Sequence, residues 1–252
     1  MRSTLSVIII TKNEASNLED CLQSVVFADE IVVVDGNSTD GTQEIARLHG
    51  AKIVETQDWP GFGPQKNRAL ALASKDWVLS IDADERVSQP LASEILNLLQ
   101  TTNKATCYAI PRKSWYCGRF MQHSGWSPDY VERLFVRGTA TFSDDQVHEK
   151  LIPTGTVVKL NNHLLHYSFR DFSQVLKKVD FYSTLSAQQY LQQGKRGSLG
   201  KAIGHGIWAF ARTYFFRLGF MDGAQGLALA ISNAEGTYYR YAKLWQMGLP
   251  KE

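Results

Sequence analysis

Four short apolar runs, at 5–10, 30–34, 51–55 and 77–81, alternate with segments of helical periodicity at the start of the chain. Strands and helices in this rhythm build a parallel sheet covered on both faces, so a doubly wound α/β half-domain is predicted here. Leu18, Cys21, Leu22 and Val25 carry the spacing of the first helix. Ser16, with Glu19 three residues later, is expected to form its capping box. Asp40 is the expected N-cap of the second helix, which stops before Gly50. The loop 59–64 leads into a third, which carries Gln65, Lys66, Asn67 and Arg68.

Each strand ends in polar groups: Thr11, Asn13 and Glu14 after the first, Asp35 after the second, Asp82 and Asp84 after the fourth. Open α/β sheets bind ligands beyond the carboxyl ends of their strands. Residues i and i+2 of an extended chain point to the same side, so Asp82 and Asp84 are expected to converge there. Two carboxylates suit a hard divalent cation, and such a cation suits a diphosphate. A ligand-free Asp-rich turn is the alternative for any one of these strand ends. Three on one edge describe a nucleotide slot, with carboxylate and amide for base and ribose and with basic residues and metal for diphosphate. Neither a G-x-G-x-x-G nor a Walker loop is present, so no glycine cradle holds the phosphates.

The 252 residues, 44% of them hydrophobic, suffice for a full core. Lys and Arg number 27 against 25 Asp and Glu, which gives no reason to expect a nucleic-acid partner. The charge is uneven, however: residues 194–252 hold eight Lys/Arg and three Asp/Glu. Cys21, Cys107 and Cys117 are far apart and lack ligand spacing, as expected of reduced thiols in a cytosolic protein. No charged-then-apolar leader precedes the first strand, and no apolar run is long enough to span a bilayer.

Four motifs in order, Val7-Ile8-Ile9-Ile10-Thr11-Lys12-Asn13-Glu14, Val33-Val34-Asp35-Gly36-Asn37-Ser38-Thr39-Asp40-Gly41-Thr42, Lys66-Asn67-Arg68-Ala69-Leu70 and Ile81-Asp82-Ala83-Asp84-Glu85, resemble the inverting family-2 glycosyltransferases of GT-A fold. The resemblance is close over 5–86. Asn37 departs from it, since many members carry an acidic or small residue there, and this blurs which nucleotide is preferred. Asp145-Gln146-Val147-His148-Glu149-Lys150-Leu151 and His163-Leu164-Leu165-His166-Tyr167-Ser168 extend the likeness to bacterial lipopolysaccharide inner-core β-glucosyltransferases. The resemblance implies a nucleotide-sugar donor, UDP-glucose foremost, a lipid-linked saccharide acceptor, and Mn²⁺ or Mg²⁺. It implies that Thr11, Asn13, Glu14, Asp35, Lys66, Asn67, Arg68, Asp82, Ala83, Asp84 and Arg133 bind the nucleotide sugar.

Ser88 is expected to cap a helix ending near Gln100, followed by strands at 107–110 and 130–136. Trp115, Tyr116, Phe120, Trp126 and Tyr130 form either a buried aromatic cluster or a sugar-stacking wall. Arg133 is a candidate phosphate contact, with a surface ion pair as the alternative. Inverting transfer is a direct displacement, so a base must take the acceptor hydroxyl's proton as the new bond forms. Of Asp144, Asp145, His148 and Glu149, the resemblance favours Glu149 as that base, with Asp145 second; a solvated acidic loop is the alternative. His166 is a candidate third metal ligand beside Asp82 and Asp84, or else an ordinary core or surface histidine.

Asp171 opens a long helix whose stripe Phe172, Val175, Leu176, Val179, Tyr182 and Leu185 is expected to pack in the core. Residues 202–220 mix many aromatics with His205, Arg212 and Arg217. That composition fits an interfacial helix on anionic lipid, with a homodimer face as the alternative.

The expectation is therefore a GT-A type catalytic domain over 1–170, with 1–86 as its nucleotide-binding half and 87–170 as its acceptor half. A helical extension follows over 171–252. The expected enzyme is a metal-dependent hexosyltransferase, peripheral on the cytoplasmic face of the inner membrane. Transfer to a polyprenyl phosphate and a non-catalytic nucleotide-sugar-binding subunit are the rival readings.

Overall fold

The structure, a computed structural model, describes residues 2–101, 105–144 and 149–249. Its first strand, β1 (Leu5–Thr11), is buried along its whole length. The chain continues through α1 (Ala15–Gln23), β2 (Glu30–Asp35), α2 (Thr42–Leu48), β3 (Lys52–Glu55), α3 (Phe62–Leu72) and β4 (Trp77–Ser80). Next come β5 (Glu85–Val87), α4 (Gln89–Gln100), β6 (Cys107–Tyr116), β7 (Arg119–Phe120), β8 (Asp129–Val136) and β9 (Ala140–Phe142). Strands β10 (Leu151–Pro153), β11 (Val157–Lys159) and β12 (Leu164–Phe169) precede three long helices, α5 (Phe172–Gln192), α6 (Leu199–Ala211) and α7 (Gly223–Met247).

The main sheet has the order β3-β2-β1-β4-β8-β6-β12-β5. Its first four strands are parallel, and β1, β2 and β4 bury Val, Ile and Leu on both faces, as helix-covered strands require. The order runs outward from β1 to β3 and then restarts at β4 on the other side of β1. This reversal is a topological switch point, where the strand ends splay apart. Antiparallel β8 then adds to β4, and β6 to β8.

Two local expectations are corrected. Ser16 lies inside α1 and does not cap it. The N–H groups of Glu14 and Ala15 are taken by Thr42 Oγ1 at 2.9 Å and Asp40 Oδ2 at 3.1 Å, so the start of α2 and the loop before it supply the acceptors. Asp40 is not the N-cap of α2, since Gly41 occupies that position with φ of 89°. Its carboxylate still accepts from Thr42 N, and so serves both helix starts. Ser88 and Asp171 cap α4 and α5 as expected.

Contacts divide the chain into two compact units, Met1–Arg112 with Asp129–His166, and Lys113–Pro128 with Tyr167–Glu252. The segment 113–128 thus belongs with the C-terminal helices. In this second unit Tyr116 is fully buried against Trp126 and Phe169. The α5 stripe is a further correction: Val175 is buried, but Phe172, Leu176, Tyr182 and Leu185 are exposed. The buried face of α5 keeps Val175 and the half-buried Val179 of that stripe and continues through Ser183 and Ala187, at a spacing of four, with small residues in its second half. Helix α6 buries only Ala202 and Gly206 and leaves Ile203, Ile207 and Trp208 exposed. No helix among the described residues is long and apolar enough to cross a membrane. Cys21, Cys107 and Cys117 are free thiols, and burial pushes Cys107 up to about 11, away from reactivity.

Candidate active site

The site begins where β1 and β2 end side by side, with Thr11 in register with Asp35. Asp35 is fully buried, and four donors from the end of β1, the loop after β2 and α2 fill its carboxylate. They are Thr11 Oγ1 at 2.7 Å, Ser38 N at 2.8 Å, Ser38 Oγ at 2.5 Å and Gln43 Nε2 at 2.8 Å. Burial raises this carboxyl, but the Ser38, Gln43 and Thr11 bonds outweigh it and hold the pKa below the ordinary Asp range. Asn13, at φ of 58°, accepts from Thr39 N at 2.9 Å and donates its own N–H to Ser38 Oγ at 2.8 Å. Thr11, Asn13, Glu14 and Asp35 therefore form one hydrogen-bonded loop system at the switch-point edge. Within it Asp35 organises the loop from inside.

A charge cluster sits beyond β4. Lys66, on α3 and only 2% exposed, places Nζ 2.8 Å from Asp82 Oδ1 and 2.6 Å from Glu149 Oε1. Gly63 makes this approach feasible, because a Cβ there would overlap the Ser143 carbonyl and crowd Glu149 Cβ. Arg133 Nη2, on β8, lies 2.6 Å from Asp82 Oδ2 and 3.1 Å from Glu85 Oε1. Burial of Asp82 opposes its charge, yet Arg133 and Lys66 outweigh that effect and hold the carboxyl far below the usual carboxylate range. Arg133 is itself pushed upward: burial opposes its charge, but Asp82 and Glu85 prevail.

Asp84 points elsewhere. Its Oδ2 lies 3.3 Å from His166 Nε2, where β12 pairs with β5 and sets His166 opposite Glu85. The two Asp side chains of the D-x-D motif thus have different neighbours, cations for Asp82 and an imidazole for Asp84. Among the described residues no three His, Cys, Asp or Glu side chains gather as a metal cluster. Ala83 is buried, and its carbonyl accepts from Arg86 Nη1 at 2.8 Å.

Two residues of the Lys-Asn-Arg motif stand apart from the cluster. Asn67 makes paired 2.9 Å bonds to Phe142 N and O, which fasten β9 to α3. Arg68 forms a fork to exposed Asp58, both bonds 2.8 Å. Asp145 lies outside the described residues. Sequence reasoning assigned no role to Glu85, a fully buried carboxylate that accepts from Arg133, Arg112 Nη1 at 3.3 Å and Asp82 N at 2.9 Å. Its signal was an acidic residue opening a buried strand directly after the D-x-D. Arg112 has no comparable signal, since only strand pairing brings it to Glu85.

A doubly wound half-sheet, acidic strand ends and a mixed extension define an α/β transferase of GT-A type. Residues 6–155 match the family model described as glycosyl transferase family 2. An uncharacterized glycosyltransferase of Rickettsia prowazekii is 33% identical over 98% of this chain and 89% of its own. The lipopolysaccharide core biosynthesis glycosyltransferase LpsC of Rhizobium meliloti is 32% identical over 96% of this chain and 92% of its own. Among solved structures, glucosyl-3-phosphoglycerate synthase of Mycobacterium tuberculosis, with Mn²⁺, uridine diphosphate and its product, is 31% identical. That match covers 46% of this chain and 45% of the other, with a TM-score of 0.37. The chain belongs to glycosyl transferase family 2 and is a glycosyltransferase.

Proposed function

We propose that this enzyme moves a hexose, glucose from UDP-glucose foremost, with inversion, onto a hydroxyl of a lipid-linked saccharide of the lipopolysaccharide-core kind. The observation that carries the reading is Lys66, whose ammonium joins Asp82 at the nucleotide edge to Glu149. Glu149 Oε1 faces Lys66, and Oε2 has no hydrogen-bond partner among the described residues. A carboxylate fixed by one oxygen and open at the other suits the task of taking the acceptor proton during displacement. Similarity to LpsC along nearly the whole chain supports the acceptor class.

A divalent ion fits the donor set of Asp84 and His166, a carboxylate and an imidazole at 3.3 Å with both side chains partly exposed. Mn²⁺ and Mg²⁺ commonly bind through one or two protein ligands and complete their shell with substrate phosphates and water. Such an ion offsets charge on the leaving diphosphate. Asp82 holds Lys66 and Arg133 at the edge where that charge develops, and these cations reinforce the effect.

The second unit supplies a membrane-facing surface in this reading. Ile207, Trp208, Phe215, Phe216 and Phe220 are half or more exposed, and basic Lys195, Arg196 and Lys201 precede them in the sequence. Exposed aromatics in a positively charged segment suit peripheral binding at the anionic cytoplasmic leaflet.

Glu149→Gln keeps the shape and removes the base. Transfer should fall roughly 10²–10⁴-fold with donor affinity near wild type, measured by initial rates beside UDP titration. Collapse of donor affinity with an unchanged catalytic step would move Glu149 into binding.

A further inference from the structure

The helical unit contains a cleft of about 380 Å³, within the span of small-molecule sites, roughly 300–1,000 Å³. Its charged lining is wholly basic: Lys178 from α5, Arg212 and Arg217 from the turn after α6, and Arg240 from α7. No acidic residue lines it among those described.

These cations lack the counter-charge that several other arginines of the chain have. Arg86, Arg112, Arg119 and Arg133 each lie within 3.8 Å of a carboxylate. None of the four cleft cations has an ion pair among the described residues. Lys178 instead lies over the Phe169 ring, and Arg240 near the Tyr190 ring. The Nε of Arg240 is buried with no acceptor among the described residues. Leaving a buried donor unmatched is costly, so such groups ordinarily have a partner.

The backbone is shaped to bring these residues together. Arg212–Phe216 is a π-helical turn, a rare geometry that recurs at functional sites. It buries Thr213 while Arg212 and, just after it, Arg217 reach the same cleft. Arg217 is pinned, since its carbonyl accepts from Ser124 N at 2.7 Å and its side chain lies against Gly125, where any Cβ would collide with it. Asn233 and Ser232 add neutral polar groups, and Trp126 adds an aromatic wall.

We propose that this cleft binds a phosphorylated sugar, and that it recognises the anionic part of the acceptor saccharide. The assignment rests on the glycosyl-transfer reading above for the word acceptor, but the binding chemistry stands on the cleft itself. Arginine forks match phosphate oxygens two at a time, a concave basic surface focuses the field on an anion, and amide, hydroxyl and aromatic groups suit a sugar ring.

The test titrates the full chain with glucose 6-phosphate, glucose, inorganic phosphate and phosphatidylglycerol vesicles, using calorimetry. Saturable binding of glucose 6-phosphate, tighter than that of phosphate and absent for glucose, is expected. Arg212→Gln with Arg240→Gln should weaken it about tenfold or more, since two charge-assisted contacts are lost. UDP binding reports that the rest of the chain is intact, and Lys178→Gln serves should the double variant fail to fold. Unchanged glucose 6-phosphate affinity in the folded variants would overturn the site. Vesicle or phosphate binding that the variants abolish, and with which glucose 6-phosphate does not compete, would overturn the sugar and leave a headgroup site. Failure of the proposed UDP-hexose reading looks different: UDP would not bind, while glucose 6-phosphate binding would persist.

Discussion

Lys66 and Glu149 are 83 residues apart in the chain and meet in a 2.6 Å ion pair whose lysine is almost wholly buried. The same ammonium holds Asp82, so one cation offsets carboxylates from two segments. Removing one partner of a buried pair costs more than the pair contributes, because the remaining charges stay desolvated.

Lys66→Met keeps the stem and deletes the charge. Arg133 still partners Asp82, whereas Glu149 loses its ion-pair partner. The expected loss is about 3 kcal/mol, read as a Tm fall of roughly 6–12 °C. A Tm within a degree or two of wild type would mean that water already screens the pair.

Asp82 gives the stability a pH dependence. Its carboxyl stays ionised in the native state far below the ordinary Asp value of about 3.9, so on acidification the unfolded chain takes up the proton first. The stabilisation is complete above that ordinary value and is lost as pH falls toward the depressed native one. Asp82→Asn should therefore lose less stability than wild type between about pH 6 and about pH 3, compared by urea midpoints. Equal acid losses would show that other carboxylates govern this limb.

Asp84 and His166 carry the metal expectation. Asp84→Asn should lower turnover by about 10² or more, as loss of metal-stabilised leaving-group charge implies. It should also weaken Mn²⁺ binding in the presence of UDP, followed by electron paramagnetic resonance, without changing the far-ultraviolet dichroism. Wild-type turnover in excess EDTA would remove the ion from the reaction.

Charge at Lys195, Arg196 and Lys201 bears on the membrane. Each basic residue near an anionic surface contributes about 1 kcal/mol, and salt screens it. Reversal of all three to Glu should release the protein from phosphatidylglycerol vesicles in co-sedimentation, and so should high salt on the wild type. Light scattering supplies the contrast: a salt-indifferent dimer with no vesicle affinity would make the exposed aromatics an interface between copies.

Hydrophobic periodicity was enough to specify the α/β half-domain, because buried parallel strands and amphipathic helices leave local signatures that need no partner. The polar strand ends Thr11, Asp35, Asp82 and Asp84 were legible for the same reason, since a strand places its last residues at the sheet edge wherever it pairs. What these residues touch was not legible. Ser16 had the right spacing for a cap, yet Thr42 and Asp40, at the start of α2 and just before it, took the amides. Asn67 and Arg68 adjoin Lys66 in sequence but diverge around α3, one to the backbone of β9 and one to Asp58. The α5 stripe was read from its own periodicity, but which face is buried depended on the small residues Ser183 and Ala187. The Lys66–Glu149 pair and the basic cleft of the helical unit depend on contacts distant in sequence. Propensity and pattern act over a few residues, whereas charge pairing and cleft shape are set by side chains that only the folded backbone brings within a few ångströms.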